Sequence, residues 1–129
     1  MINPGDTLYN PVTGESMTFI TTSRQTAGEY VLIELSADPD AFVAAAHVHP
    51  IQIETFEVLE GELTVKVDGT VHTAKAGDVL VVQPGQAHKW WNAGDSQLVF
   101  RCEIRPCDRP RSAASFSWGT PSPTLYRPM

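Results

Sequence analysis

Short runs of alternating apolar and polar residues, separated by turn residues, dominate this chain of 129 residues. Leu63, Val65 and Val67 alternate with polar residues, and the Asp68-Gly69 pair that follows is typical of a two-residue hairpin turn. No stretch shows the period of 3.6 residues expected of a long amphipathic helix. The sequence therefore predicts an all-β, antiparallel sandwich or barrel.

The same alternation and the β-branched content place the other strands. We predict strands over residues 7–9, 17–22, 30–35, 54–58, 63–67, 70–74, 79–82, 88–92 and 97–104. After Ile104 the composition changes, because residues 106–129 carry five of the ten prolines and no sustained alternation. The chain is long enough for one domain with a real core, so we predict a β-barrel domain over residues 1–105 and a Pro/Ser-rich tail over residues 106–129.

Three of the four histidines and one glutamate stand at spacings that can converge inside such a barrel. His47 and His49 project to the same face, because residues i and i+2 of a strand share a face. Glu54 lies at an odd offset from His49, but Pro50 between them predicts a bend or bulge that resets the parity. His88 follows a Pro84-Gly85 turn and opens another alternation.

The three histidines and Glu54 also have two interpretations that involve no metal. A lone histidine on an apolar face is usually a structural residue, and an acidic chain can also carry such groups on a solvated face. The flanks 44–46 and 51–53 are mainly apolar, which argues against a solvated face. Imidazole and carboxylate together suit a divalent transition metal, so we predict one such ion per chain; Fe, Mn, Ni, Co and Zn all remain open. Four protein ligands on an octahedral ion leave two positions open, as a catalytic site requires.

Two sequence blocks resemble the motifs of the cupin family. Residues 47–61 match His-x-His, four residues, Glu, six residues, Gly, and residues 77–92 match Gly, five residues, Pro-x-Gly, two residues, His, three residues, Asn. Ala41 replaces the glycine that usually opens the first block, and Gln83 replaces the proline of the second. Both departures are at positions that shape the backbone, whereas the four ligand positions are intact.

The resemblance extends over about residues 15–105. It implies an all-β, double-stranded β-helix (jelly-roll) barrel with His47, His49, Glu54 and His88 as metal ligands. It does not define the reaction, because cupins include many classes of enzyme as well as non-enzymes. Many cupins are homodimers, and parity points Trp91 out of the barrel, so we expect a homodimer.

Strand parity also predicts a substrate pocket. Phe56 and Trp90 share faces with the ligands and would form its walls, while Gln52, in the bend, is predicted to point either at the metal or at solvent. Such a pocket suits a small organic ligand. We expect a metal-dependent, dioxygenase-like enzyme with Glu54 as the catalytic base. A metal-dependent isomerase or cyclase and a non-catalytic binding or sensing module are the alternatives.

The remaining expectations concern partners and location. The net charge is −6 and no basic stripe is present, which argues against a nucleic-acid partner. No apolar run approaches the length of a membrane span, and the N-terminus lacks the features of a secretory signal. Cys102 and Cys107 are too few for a disulfide framework, so we expect a cytoplasmic protein with reduced thiols.

Overall fold

The computed structural model describes residues 2–42 and 46–106, and these residues form strands and turns only. The strands are β1 (Thr7–Asn10), β2 (Glu15–Thr21), β3 (Val31–Ala37), β4 (Ile53–Glu60), β5 (Glu62–Val67), β6 (Thr70–Lys75), β7 (Val79–Val82), β8 (His88–Trp91) and β9 (Leu98–Arg105). Each lies within a few residues of a predicted strand. Apart from Pro106, the predicted tail is outside the described residues.

The strands form two sheets. One has six strands in the order β1-β2-β3-β9-β4-β7, and the other has three in the order β6-β5-β8. Neighbouring strands are antiparallel throughout both sheets. The predicted antiparallel all-β fold is therefore confirmed. Within the described ranges the chain contains no helix long and apolar enough to cross a membrane.

The core lies between the sheets, where the inward residues of each strand meet. On β9 the alternate residues Leu98, Phe100, Cys102 and Ile104 are buried, and their neighbours on the strand are half-buried. Phe19 and Ile33 from the adjoining strands are fully buried against this row. Each side chain of this size stabilises the fold by about 1.5–3 kcal/mol when buried. Strand alternation thus defines one continuous apolar interior.

Glycines and short polar residues shape two of the turns. Asp68 and Gly69 both have positive φ, at 48° and 85°, as the predicted two-residue hairpin between β5 and β6 requires. Gly61 joins β4 to β5 with a φ of 79°, and a Cβ added there would lie 2.5 Å from the carbonyl oxygen of Gln97. Gly61 is therefore required both by its conformation and by a close backbone neighbour.

The segment that precedes β4 determines which side chains enter the barrel. The chain bends at Pro50 and Ile51, and β4 begins at Ile53. From there burial alternates, with Gln52, Glu54 and Phe56 inside. The bend predicted at Pro50 is confirmed, and it turns Glu54 towards the interior despite its odd offset from His49.

Candidate metal centre

Glu54 is a carboxyl group in the barrel interior. Its residue is only 4% exposed, and its backbone lies between Val82 of β7 and Ile104 of β9. One carboxyl oxygen, Oε2, accepts a hydrogen bond from the thiol of Cys102 on β9. The other, Oε1, is buried and has no hydrogen-bond partner among the described residues. A buried acceptor of this kind is costly unless a ligand or cation satisfies it.

The charge of Glu54 is not offset by a buried lysine or arginine in the described part of the chain. The buried side chains of residues 2–42 and 46–106 include no lysine or arginine. Burial raises the pKa of Glu54 well above its usual value, and the thiol hydrogen bond opposes this only in part. Without a cation the neutral acid is favoured, whereas a divalent ion would favour the carboxylate.

His47, in the first motif, lies beside His88, the first residue of β8. Their backbones are joined by two hydrogen bonds, from His47 N to His88 O at 2.8 Å and from His88 N to His47 O at 2.9 Å. The centroids of the two imidazole rings are 5.9 Å apart. Burial lowers the pKa of His47, which favours the neutral imidazole that metal binding requires.

His49 is tied to the turn that precedes His88. Its carbonyl oxygen accepts a hydrogen bond of 2.8 Å from Gly85 N, and its side chain is half-buried. Val82, the partner of Glu54 on β7, comes just before the same turn. The backbone therefore brings the residues of both motifs to one end of the barrel, although more than 30 residues separate His49 from His88.

Comparison with known proteins agrees with this architecture. The sequence model of the family described as "Cupin domain" matches residues 27–103, which is more than half of the chain. The chain belongs to the cupin family.

Solved structures with the same fold include a predicted oxalate decarboxylase from Thermotoga maritima, with a TM-score of 0.67 and 22% identity, covering 71% of this chain and 80% of that chain. An uncharacterised double-stranded β-helix protein from Klebsiella pneumoniae has a TM-score of 0.65 and 27% identity, covering 78% and 85%. KdgF from Halomonas sp. has a TM-score of 0.65 and 17% identity, covering 78% and 86%. No curated protein sequence matches the chain.

The candidate ligands of this cupin have the donor atoms that suit a metal, but their side chains are not yet arranged around one point. Across the described residues, no three His, Cys, Asp or Glu side chains already group closely enough to hold an ion. The neighbouring imidazoles of His47 and His88 and the unpartnered Oε1 of Glu54 are nevertheless the nitrogen and oxygen donors that a divalent transition metal prefers. Binding would therefore require side-chain rotation, and among the four backbone positions those of His47 and His88 are already adjacent.

The predicted pocket residues of this cupin all lie inside the barrel. Gln52 is 6% exposed, and its Nε2 donates to the carbonyl oxygen of Pro106, so the side chain does not point at solvent; its orientation towards a metal stays a prediction. Phe56 stacks on Phe100 at 5.1 Å between centroids, and Trp90 meets the same ring edge-on at 5.2 Å. These contacts explain how the two side chains are held. Their role towards a substrate stays a prediction.

Two interior groups were not identified as functional from the sequence. Cys102 is buried, and its contact with Glu54 joins residues 48 positions apart. Glu15 is 5% exposed, and burial raises its pKa to about 7. The apolar alternation of β9 gave no sign of the first contact. On β2, Glu15 shares the inward face with Met17 and Phe19, and this pattern could have indicated that Glu15 is buried.

Proposed function

We propose that this cupin is a metal-dependent enzyme, dioxygenase-like, that acts on a small organic substrate. The observation that carries the proposal is Glu54, a carboxyl group buried in the barrel with one oxygen unpartnered and no buried lysine or arginine among the described residues. A structural carboxyl at this depth would normally be paired. A divalent ion at this end of the barrel gives the group its missing partner.

His47, His49, Glu54 and His88 would hold the ion, one per chain. When bound, the metal supplies Lewis acidity and a binding position for a substrate oxygen or for dioxygen. Glu54 is also the proposed base: Cys102 holds its Oε2, while Oε1, which has no partner in the described chain, would bind the ion and would leave it to take a proton from a substrate. The packed rings of Phe56, Phe100 and Trp90 would exclude water from the adjoining core.

The similar structures support a small-molecule site without selecting one reaction. They include an oxalate oxidase with a TM-score of 0.63 and 20% identity, beside the predicted oxalate decarboxylase. One fold carries many reactions, and function depends on the residues of the site. We place oxygen chemistry first because the proposed ligand set leaves two positions of an octahedral ion open.

Reconstitution with single metals tests the proposal. The metal-free protein is loaded separately with Fe(II), Mn(II), Ni(II), Co(II) or Zn(II), and oxygen uptake is followed with a panel of enolic and phenolic compounds. Metal-dependent oxygen uptake supports the proposal. Turnover without oxygen uptake indicates instead an isomerase or cyclase that uses the ion only as a Lewis acid. Tight binding without any turnover indicates a sensing module.

A further inference from the structure

Gln52 carries a second buried acceptor beside Glu54. Its amide has a fixed orientation, because the carbonyl oxygen of Pro106 can only accept a hydrogen bond and must therefore face Nε2. The amide oxygen Oε1 then lies on the other side of the group. It is buried and has no hydrogen-bond partner among the described residues.

Gln52 and Glu54 present these oxygens on the same face of the chain. They are two residues apart in a segment whose burial alternates, so both side chains enter the interior while Ile53 between them is exposed. Pro106 binds the Nε2 of Gln52, and Cys102 binds the Oε2 of Glu54. The other side-chain oxygen of each residue has no hydrogen-bond partner in the described chain. Two such acceptors in adjacent inward positions are rare in a folded interior.

The chemistry of the two oxygens differs. A carboxylate oxygen is a strong ligand for a divalent ion, and under the proposed function Glu54 Oε1 has this role. A neutral amide oxygen is a weaker ligand and a good hydrogen-bond acceptor. No lysine or arginine is buried within the described ranges, so the protein itself offers Gln52 no cationic donor there.

We propose that Gln52 is a specificity-determining residue whose Oε1 accepts a hydrogen bond from a hydroxyl group of the substrate. This inference rests on the proposed function, because the metal-bound substrate must lie beside Glu54. It names the substrate class: a small neutral or weakly acidic molecule with a free hydroxyl, such as an enol, a phenol or a hydroxy acid. A dianion such as oxalate has only acceptors and would face Gln52 Oε1 without a donor.

Discrimination by such an acceptor is expected to be large. When a buried acceptor is built to receive a hydroxyl, a ligand that lacks the hydroxyl leaves it unpaired and binds much more weakly. Replacing the hydroxyl by a methoxy group removes the donor and changes little else. Pairs of hydroxyl and methoxy compounds are therefore the appropriate probes.

Binding is measured by calorimetry on the full-length protein loaded with Co(II), and the metal content is determined on the same samples. The probes are phenol with methoxybenzene, glycolate with methoxyacetate, and oxalate. We expect at least one hydroxyl compound to bind about 10-fold or more tightly than its methoxy partner. Gln52→Met keeps the length and burial of the side chain but removes the acceptor, and it should abolish that ratio while the metal content is unchanged.

Gln97→Met is the matched control, because Gln97 is exposed, donates to Ser36 Oγ and lies beside Gly61, at the opposite end of β4 from Gln52 and Glu54. It should leave the ratio unchanged. Equal binding within every pair, which would indicate that Oε1 meets only water, contradicts the inference. So does oxalate binding as tightly as the hydroxyl probes, failure of all hydroxyl probes to bind, or a ratio that survives in Gln52→Met. Failure of the wild type to take up metal contradicts the proposed function instead.

Discussion

At the scale of single residues, the described part of the barrel buries two carboxyl groups, which lie in different settings. Glu54 lies in the row of Ile104, and Glu15 lies in the row of Ala37 and Leu98. Along β9 these rows are six positions apart, from Leu98 to Ile104, which corresponds to about 20 Å. Burial raises the pKa of both groups, but only Glu54 lies with the two motifs. One therefore belongs to the candidate site, and the other is an internal comparison.

Replacing Glu54 with glutamine tests the proposed base. The amide that Glu54→Gln introduces cannot accept the proton from a substrate, so turnover of a substrate found in the reconstitution screen should fall by about 100-fold or more. Metal content should fall less, because the three histidines remain. Steady-state rates normalised to bound metal measure the effect, with the exposed Glu57→Gln on the same strand as control. Full turnover in Glu54→Gln would remove the base role.

Replacing Glu15 with glutamine tests the burial of a second acid. The folded-state pKa of Glu15, about 7, is above the value of 4.5 for the free group. The unfolded chain therefore releases its proton first, and Glu15 makes the protein progressively less stable as the pH rises from about 4.5 to about 7. Glu15→Gln should be more stable than the wild type above that range, by up to about 3 kcal/mol.

Below pH 4.5 this advantage of Glu15→Gln should disappear, because Glu15 is protonated in both states. Chemical unfolding at about pH 4 and about pH 8 measures the difference between the two proteins. The pH-dependent contribution of Glu54 is common to both and cancels. A stability difference that does not change with pH would show that folding does not raise the pKa of Glu15.

At the scale of elements, alternation and turn residues predicted the strands but not the contacts between them. The hairpin at Asp68-Gly69 and the bend at Pro50 depend on local conformation, so the sequence alone revealed both. The hydrogen bond from Gln52 to Pro106 and the contact of Cys102 with Glu54 depend on the pairing of β4 with β9. Register across 48 or more residues leaves no local signal, so these parts of the candidate site needed the structure.

Two turn glycines, Gly61 between β4 and β5 and Gly69 between β5 and β6, have the same backbone conformation and can be compared directly. Gly61 and Gly69 have similar positive φ values, of 79° and 85°, but only Gly61 of the two has a backbone atom in the space of a Cβ. Gly69→Ala should cost about 1–2 kcal/mol of unfolding free energy, from the left-handed conformation alone. Gly61→Ala should cost clearly more, because the carbonyl of Gln97 must also move. Equal losses in urea unfolding would contradict the role of this close approach.

At the scale of the whole molecule, we expect two chains to associate. Trp91 is half-buried on β8, and its backbone pairs with Phe42, which is 43% exposed. These adjacent aromatic residues form an apolar surface suited to a second copy. Light scattering at micromolar concentration should give twice the 14.1 kDa of one chain. Trp91→Ser should shift the mass towards the monomer, whereas Tyr9→Ser, at an exposed aromatic residue of β1, should not.

The central claim is that residues of both motifs hold one divalent metal ion in each chain. Elemental analysis of protein purified without added metal, and again after loading, tests it most directly. Wild type should contain close to one ion per chain after loading, and His49→Ala with His88→Ala should lose most of it while the far-UV spectrum stays that of a β protein. Full metal content in that double variant, or none in the loaded wild type, would contradict the claim.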